Sequence, residues 1–305
     1  MQTILGANGP IGEELARELH RSYTADLRLV GRRPERVNAS DELVVADLTD
    51  AAATSRAVAG SDVAYLTVGL PMDSALWEQR FPVMMRNVLD ACAEHGARLV
   101  FFDNTYMYPG TTAPQTESTP FVPAGRKGRV RARIARMLLD AMEEGRVEAL
   151  ICRAPEFYGP GATKSLTTSL VFDRIAAGRT PVVPVADDAL RSLIWTPDAS
   201  RAMALLGTTP DAYGRTWHLP IDRDRLTYAQ IVGVAEEVTG RRIRHLTAPE
   251  WLLRLGGRVN PQLAELGELL PRYRGDNLFE CTDFAERFPD FTVTSYREGI
   301  AEILG

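Results

Sequence analysis

The sequence predicts an α/β protein: a doubly wound parallel sheet followed by a smaller C-terminal α+β lobe. Three observations carry this. Short apolar runs alternate with helical patterns from residue 1 to residue 153, the rhythm of strand–helix–strand units joined by right-handed crossovers. A glycine-rich turn links the first run to the first helix. Past residue 154 the alternation gives way to shorter, mixed pieces.

The first run, Gln2 to Leu5, reads as a strand. Gly6, Gly9 and Gly12 follow as G-x-x-G-x-x-G, Pro10 sits in the first turn of a helix, and Ile11, Leu15 and Leu19 continue at helical spacing. Proline suits that place because its missing N–H would have no intrahelical partner. The glycines let the backbone come close to a ligand, and the free N–H groups and dipole of the helix start favour an anion. The strand–turn–helix context predicts that Gly6, Gly9, Pro10, Ile11 and Gly12 hold the pyrophosphate of a dinucleotide.

Leu27 to Val30 is the second strand and ends at Gly31-Arg32-Arg33-Pro34. An acid here would bond a ribose 2′-hydroxyl and select NAD. Instead Gly31 is followed by Arg32, whose guanidinium matches a 2′-phosphate, so the sequence predicts NADP over NAD. The plain alternative is that Arg32 and Arg33 are solvated charges. Leu43 to Ala46 is the third strand, with Asp47 and Leu48 at its C-terminal end, where open α/β sheets bind ligands. Asp47 either holds the adenine amino group or caps the next helix, which begins near Asp50. Val63 to Val68 is the fourth strand. Gly69 follows it and leaves room for the middle of the cofactor.

A long helix runs from about Ser74 to Glu94, with Trp77, Phe81, Met84, Val88 and Cys92 as its core stripe. Arg98 to Phe102 is the fifth strand and leads into Asp103-Asn104-Thr105-Tyr106-Met107-Tyr108. From Lys127 a basic helix presents Val130, Ile134, Met137 and Leu138 on one face, its arginines mostly toward solvent. Ala149 to Arg153 is the sixth strand. Residues 1–154 therefore form the dinucleotide-binding domain. Residues 155–305 form mainly a substrate lobe, with some segments returning to the sheet. Within it Thr196 is placed to cap a helix that has Pro197 at its first position.

Composition narrows the function. The 305 residues are 45% hydrophobic and 25% charged, with a formal charge of −5, so there is no basic excess for nucleic acid. No apolar run is long enough to span a membrane, and neither partner is expected. The three cysteines, Cys92, Cys152 and Cys281, make no C-x-x-C pair, so no metal site is expected and the cytoplasm is the default location.

These residues resemble the extended short-chain dehydrogenase/reductase superfamily, the NAD(P)-dependent epimerase/dehydratase group. The likeness is carried by G6-A-N-G-P-I-G12, Asp47-Leu48, the loop NTYMYPG, the segment R153-A-P-E-F-Y-G-P-G161 and R191-S-L-I-W-T-P-D198. It implies a Rossmann domain for NAD(P) and a C-terminal lobe closing over a sugar-like or carbonyl substrate. It also implies that Lys127 is the family's lysine beside the nicotinamide ribose, and that Pro155 lies in the segment that contacts the nicotinamide amide. Arg191 would meet an anionic substrate group, unless it pairs with Asp187 or Asp188. Tyr108 and Tyr158 are set on the substrate side, Tyr108 more as a wall residue. A homodimer through the helices at 74–94 and 127–144 follows by analogy.

The departures bear on mechanism. The family pairs a Ser or Thr after the fifth strand with Tyr-x-x-x-Lys. Here Pro123 stands four residues before Lys127, and Asn104 takes the place of the hydroxyl. Tyr106, two positions past Asn104, shares its side if the chain stays extended. Beside an ammonium it would serve as the acid; otherwise it packs the wall. The sequence thus predicts an NADPH-dependent reductase of a small carbonyl, imine or enone, with Lys127, Tyr106 and Asn104 at the reacting end. An epimerase, dehydratase or isomerase without net redox is the alternative, and a non-catalytic NADP-binding regulator the second.

Overall fold

The structure, a computed structural model, describes residues 1–161, 163 and 165–305, with Pro261 and Gln262 described by backbone alone. The chain divides into two compact units. The first comprises residues 1–107, 125–154 and 199–219; the second comprises 108–124, 155–198 and 220–305. The loop 108–124, which the sequence places with the first domain, therefore groups with the second unit.

In the first unit the strands are β1 (Gln2–Leu5), β2 (Leu27–Gly31), β3 (Glu42–Val45), β4 (Val63–Leu66), β5 (Arg98–Asp103) and β6 (Ala149–Arg153). The strand Thr216–His218 joins them to complete a seven-stranded sheet. From edge to edge the order is Thr216–His218, β6, β5, β4, β1, β2, β3. Every pairing is parallel, so the chain winds outward in both directions from β1 and β4. The switch point lies where ligands bind in such sheets. Parallel strands buried on both faces need continuous apolar sequence. β4 (VAYL) and β6 (ALICR) supply it and are buried throughout.

The helices of this unit are α1 (Pro10–Ser22), α2 (Ala51–Val58), α3 (Ser74–His95) and α4 (Gly125–Glu143). Their ends follow local chemistry. α1 starts on Pro10 with Gly9 extended before it. The Asp50 carboxylate accepts from Ala53 N and caps α2; Asp73 does the same for α3 through Leu76 N. α3 stops at Gly96, where φ is +67°. One face of the sheet packs on α2, α3 and α4 through Leu66, Phe81, Met85, Val88, Phe101 and Ile134.

The second unit holds β7 (Glu156–Tyr158), β8 (Val182–Pro184), β9 (Leu190–Arg191) and β10 (Leu193–Trp195). β11 is the strand Thr216–His218 of the large sheet. β12 (Leu226–Thr227) and β13 (Leu246–Ala248) follow. β7 pairs with β10, β8 with β13 and β9 with β12, giving three two-stranded ladders. Helices α5 (Asp173–Ala176), α6 (Thr196–Thr208), α7 (Tyr228–Thr239), α8 (Glu250–Gly256), α9 (Pro261–Leu266), α10 (Thr282–Arg287) and α11 (Tyr296–Leu304) complete the chain. α6 enters the first unit at Ala199, where Ser200 Oγ donates to Ile11 O at 3.1 Å. Thr196 is the first residue of α6, not its cap, and among the described residues its buried hydroxyl has no hydrogen-bond partner. The core of the second unit is aromatic: Tyr158, Phe172, Trp195, Tyr228 and Tyr296.

Candidate functional site

The glycine turn leaves β1 and starts α1, and its three glycines do different work. Gly6 has φ +99°, and a side chain there would meet Val68 backbone at 2.9 Å. At Gly12 a side chain would meet Ala7 and Gly6 backbone at 2.8 Å. Both are demanded by the protein's own packing. At Gly9 the nearest atom would be 3.7 Å away, and at Gly69 nothing lies within 4 Å. Neither of these two is required by any packed neighbour, and both are where a pyrophosphate would approach the backbone. Asn8, which no sequence signal singled out, ties the turn to the end of β2: its amide donates to Arg33 O at 2.8 Å.

Where β2 ends, Gly31 closes the strand and Arg32 projects into solvent. Arg32 makes no hydrogen bond or ion pair among the described residues, and its nearest charged influence is on Asp47. Asp47 does not cap α2, a role that belongs to Asp50. Its Oδ1 accepts from Thr49 N at 2.9 Å and Thr49 Oγ1 at 2.8 Å. Those bonds, the backbone one first, hold its carboxyl below the usual range, helped by Arg80 and Arg32. Leu48 is buried, and its carbonyl accepts from Asn87 Nδ2 at 2.8 Å. The open backbone at Gly9 and Gly69 and the exposed guanidinium of Arg32 thus fit a dinucleotide.

Elsewhere in the first unit, the first turn of α3 gathers two of the residues expected at the reacting end. Lys127 is 0% exposed, and its Nζ donates to Ser74 Oγ at 2.8 Å. Ser74 and Trp77 are three residues apart on one helical face. Tyr106 lies nearly parallel to Trp77, with ring centroids 6.2 Å apart and planes 10° from each other. The structure therefore brings Lys127 and Tyr106 to the same turn of α3.

The route to Tyr106 differs from the sequence expectation. The chain is not extended past β5. Tyr106 N donates to Asn104 Oδ1 at 3.0 Å, closing a turn. That bond occupies the side-chain oxygen of Asn104, and Nδ2 makes no hydrogen bond among the described residues. The position four residues before Lys127 is also altered in shape. α4 begins only at Gly125, where φ is +78°, so Pro123 lies outside the helix. No side chain there stands one helical turn from Lys127.

Beneath Asn104 lies a buried ionic cluster. Asp103 Oδ1 accepts from Asn104 N at 2.8 Å and from Arg131 Nε at 2.9 Å, with a second contact from Arg131 Nη2. Its Oδ2 accepts from Arg153 Nη2 at 3.2 Å. Arg131 is therefore an exception to the solvent-facing reading of the α4 arginines. Its spacing of four from Lys127, on the buried face, was the available signal.

Three expected substrate residues lie inside the second unit. Arg191 is 3% exposed, enclosed by the Tyr273 ring at 4.5 Å and the Tyr228 ring at 5.8 Å. It pairs with Glu156 at 3.7 Å and donates to Arg272 O at 3.0 Å; Asp187 pairs with His245 instead. Tyr158 belongs to the aromatic core, stacked on Tyr296 at 5.5 Å, where burial pushes its phenol well up. Tyr108 is buried against Phe121. Family motifs mark these positions, but here their side chains build the second unit. Pro155 is buried at the start of that unit.

The family model described as the NAD dependent epimerase/dehydratase family matches residues 3–219. The chain is 27% identical over 255 residues to a ceramide reductase from Caulobacter vibrioides (strain NA1000 / CB15N), covering 81% of this chain and 73% of that protein. The UDP-glucuronic acid 4-epimerase from Bacillus cereus, solved with UDP-glucuronic acid and NAD, is similar with a TM-score of 0.80 and 14% identity, covering 99% of this chain and 98% of that one. The UDP-glucose 4-epimerase from Thermus thermophilus, solved with NAD, has a TM-score of 0.77 at 14% identity, covering 100% of this chain and 98% of that one. At these identities the structural likeness establishes the shared fold.

Proposed function

The chain belongs to the NAD-dependent epimerase/dehydratase family, and on that premise we propose that it is an NADPH-dependent reductase of a carbonyl carried on a neutral, lipid-like substrate. The carrying observation is the helix start at Gly125 with Pro123 before it. An epimerase or dehydratase begins by oxidising an alcohol, so it needs a base to take the hydroxyl proton. The family's base stands one turn before the lysine, and here that place holds no helix and no titratable group. A reductase needs one proton delivered per turnover and none taken from an alcohol, so a protonated phenol is enough.

The bound nicotinamide would supply the hydride. Gly6, Gly9, Pro10, Ile11 and Gly12 would hold its pyrophosphate, Arg32 the 2′-phosphate, Asp47 and Leu48 the adenine end, Gly69 the middle, Lys127 the ribose and Pro155 the amide. As charge builds on the carbonyl oxygen, Nδ2 of Asn104 donates to it and the buried ammonium of Lys127 stabilises it. Tyr106 delivers the proton. The sealed state of Arg191 argues against a nucleotide-diphosphate substrate, since its charge is already met by Glu156. The ceramide reductase relative is in keeping with a lipid carbonyl.

Two substitutions test the cofactor site. Arg32→Ala is expected to lower the preference for NADPH over NADH by about tenfold or more; an unchanged ratio of kcat/KM would refute the 2′-phosphate reading. Gly9→Ala is expected to weaken NADPH binding about tenfold without lowering Tm, because its side chain would meet nothing closer than an ordinary van der Waals contact at 3.7 Å. Gly12→Ala is expected to destabilise the fold itself, by about 1–3 kcal/mol. Calorimetric titration and thermal melts of the pair separate the two effects.

A further inference from the structure

The second unit carries an apolar surface that the reductase reading does not use. Helix α8, EWLLRLG, has no buried residue. Trp251 is 66% exposed and Val259, just past the helix, 87%; Leu252 and Leu255 are also exposed. Trp251 and Leu255 are four apart, Leu252 and Leu255 three apart, so the three side chains share one face. A helix of seven residues has little stability of its own, and a contiguous exposed apolar face marks a docking surface.

Charge identifies what docks. Arg241, Arg242 and Arg244 lead into β13, and Arg254 and Arg258 flank the apolar face; all five are exposed. Between Gly240 and Ala264 the only carboxylate is Glu250. It is held by Arg274 and Arg254, which push its carboxyl down to about 2. In a chain of net charge −5, the stretch that carries the most exposed indole thus sets five exposed arginines against one carboxylate. A second copy would set these arginines against their own kind. Nucleic acid would meet the guanidinium groups but leave the aliphatic side chains without a partner. An anionic bilayer answers both: phosphate headgroups take the arginines, and the acyl boundary takes Trp251, Leu252, Leu255 and Val259.

We propose that α8 and its flanking arginines seat this protein on the surface of an anionic phospholipid membrane, peripherally and without spanning it. Among the described residues no helix is long and apolar enough to cross a membrane, which bears on spanning only. The proposal stands on this surface alone, whether or not the reductase reading holds.

The test is co-sedimentation of the full chain with phosphatidylcholine vesicles, with and without phosphatidylserine. The protein is expected to pellet with the anionic vesicles and to bind the zwitterionic ones at least about tenfold more weakly. Combining Trp251→Ser, Leu252→Ser and Leu255→Ser is expected to cut anionic binding about tenfold or more. Combining Arg241→Gln, Arg242→Gln and Arg244→Gln is expected to cut it and flatten its salt dependence. Circular dichroism and dinucleotide binding check that each variant is folded. Failure of the folded wild-type protein to pellet, or equal binding by the serine variant, would overturn the proposal. So would self-association in sedimentation velocity that the serine changes abolish while vesicle binding is absent, which assigns the surface to a second copy. None of these results depends on turnover, so the reductase reading is tested separately.

Discussion

Lys127→Met is expected to lower kcat by about 10²–10³-fold, the usual loss when a preorganised charge at a developing anion is removed. The ammonium is wholly buried, so its field is little screened by water, and the bond to Ser74 Oγ fixes its position. Methionine fills similar space without charge. Tm measured beside turnover separates loss of the charge from loss of the fold. A kcat near wild type would remove Lys127 from the reaction. Tyr106→Phe keeps the ring on Trp77 and removes only the phenol proton. Its expected loss is about 10²-fold, and unchanged turnover would assign proton delivery elsewhere.

Asp103→Ala is expected to destabilise the first unit by about 3–5 kcal/mol, the cost of stripping the partner from buried charges. Two guanidinium groups, on Arg131 and Arg153, converge on this one carboxylate. Without it both remain in the interior of the sheet. Urea unfolding monitored by circular dichroism reads the change directly. Adding Arg131→Met to Asp103→Ala is expected to recover part of the loss, since one stranded cation is then gone. Because Asn104 N donates to Asp103 Oδ1, the same change should also loosen the turn that presents Asn104. Stability within about 0.5 kcal/mol of wild type would show that the cluster is not the anchor described.

The contrast between these residues shows what sequence can carry. β1 and β6 were legible to their end residues, because apolar runs are cut off by glycine turns and charged loops. α1 was legible from Pro10, and the glycine turn from its spacing, since both obey rules that act within a few residues. Six strands of the parallel sheet followed from the strand–helix rhythm, and the seventh, Thr216–His218, is one of the later segments that return to it. The environments of polar side chains were not legible in this way. Arg131 stands among solvent-facing arginines on α4, and only Asp103, 28 residues away, draws it inward. Arg191 and Tyr158 sit in motifs that mark substrate contacts in relatives, and here Glu156, Tyr273 and Tyr296 enclose them. Asn104 and Tyr106 were identified by position, but their geometry depends on a turn closed by the asparagine's own oxygen. Pro123 in place of the usual tyrosine was plain in the sequence, whereas the start of α4 at Gly125 needed coordinates.

The measurement that bears most directly on the reductase reading is a stoichiometric turnover assay with purified protein. NADPH is mixed with a long-chain ketone in one cell, and the oxidised cofactors NAD and NADP with a UDP-sugar in another, following nicotinamide absorbance and product together. The account predicts ketone-dependent loss of NADPH, one alcohol formed per NADPH consumed, and no reaction of the UDP-sugar. Conversion of the UDP-sugar with the cofactor unchanged, and no NADPH consumed with the ketone, would contradict it.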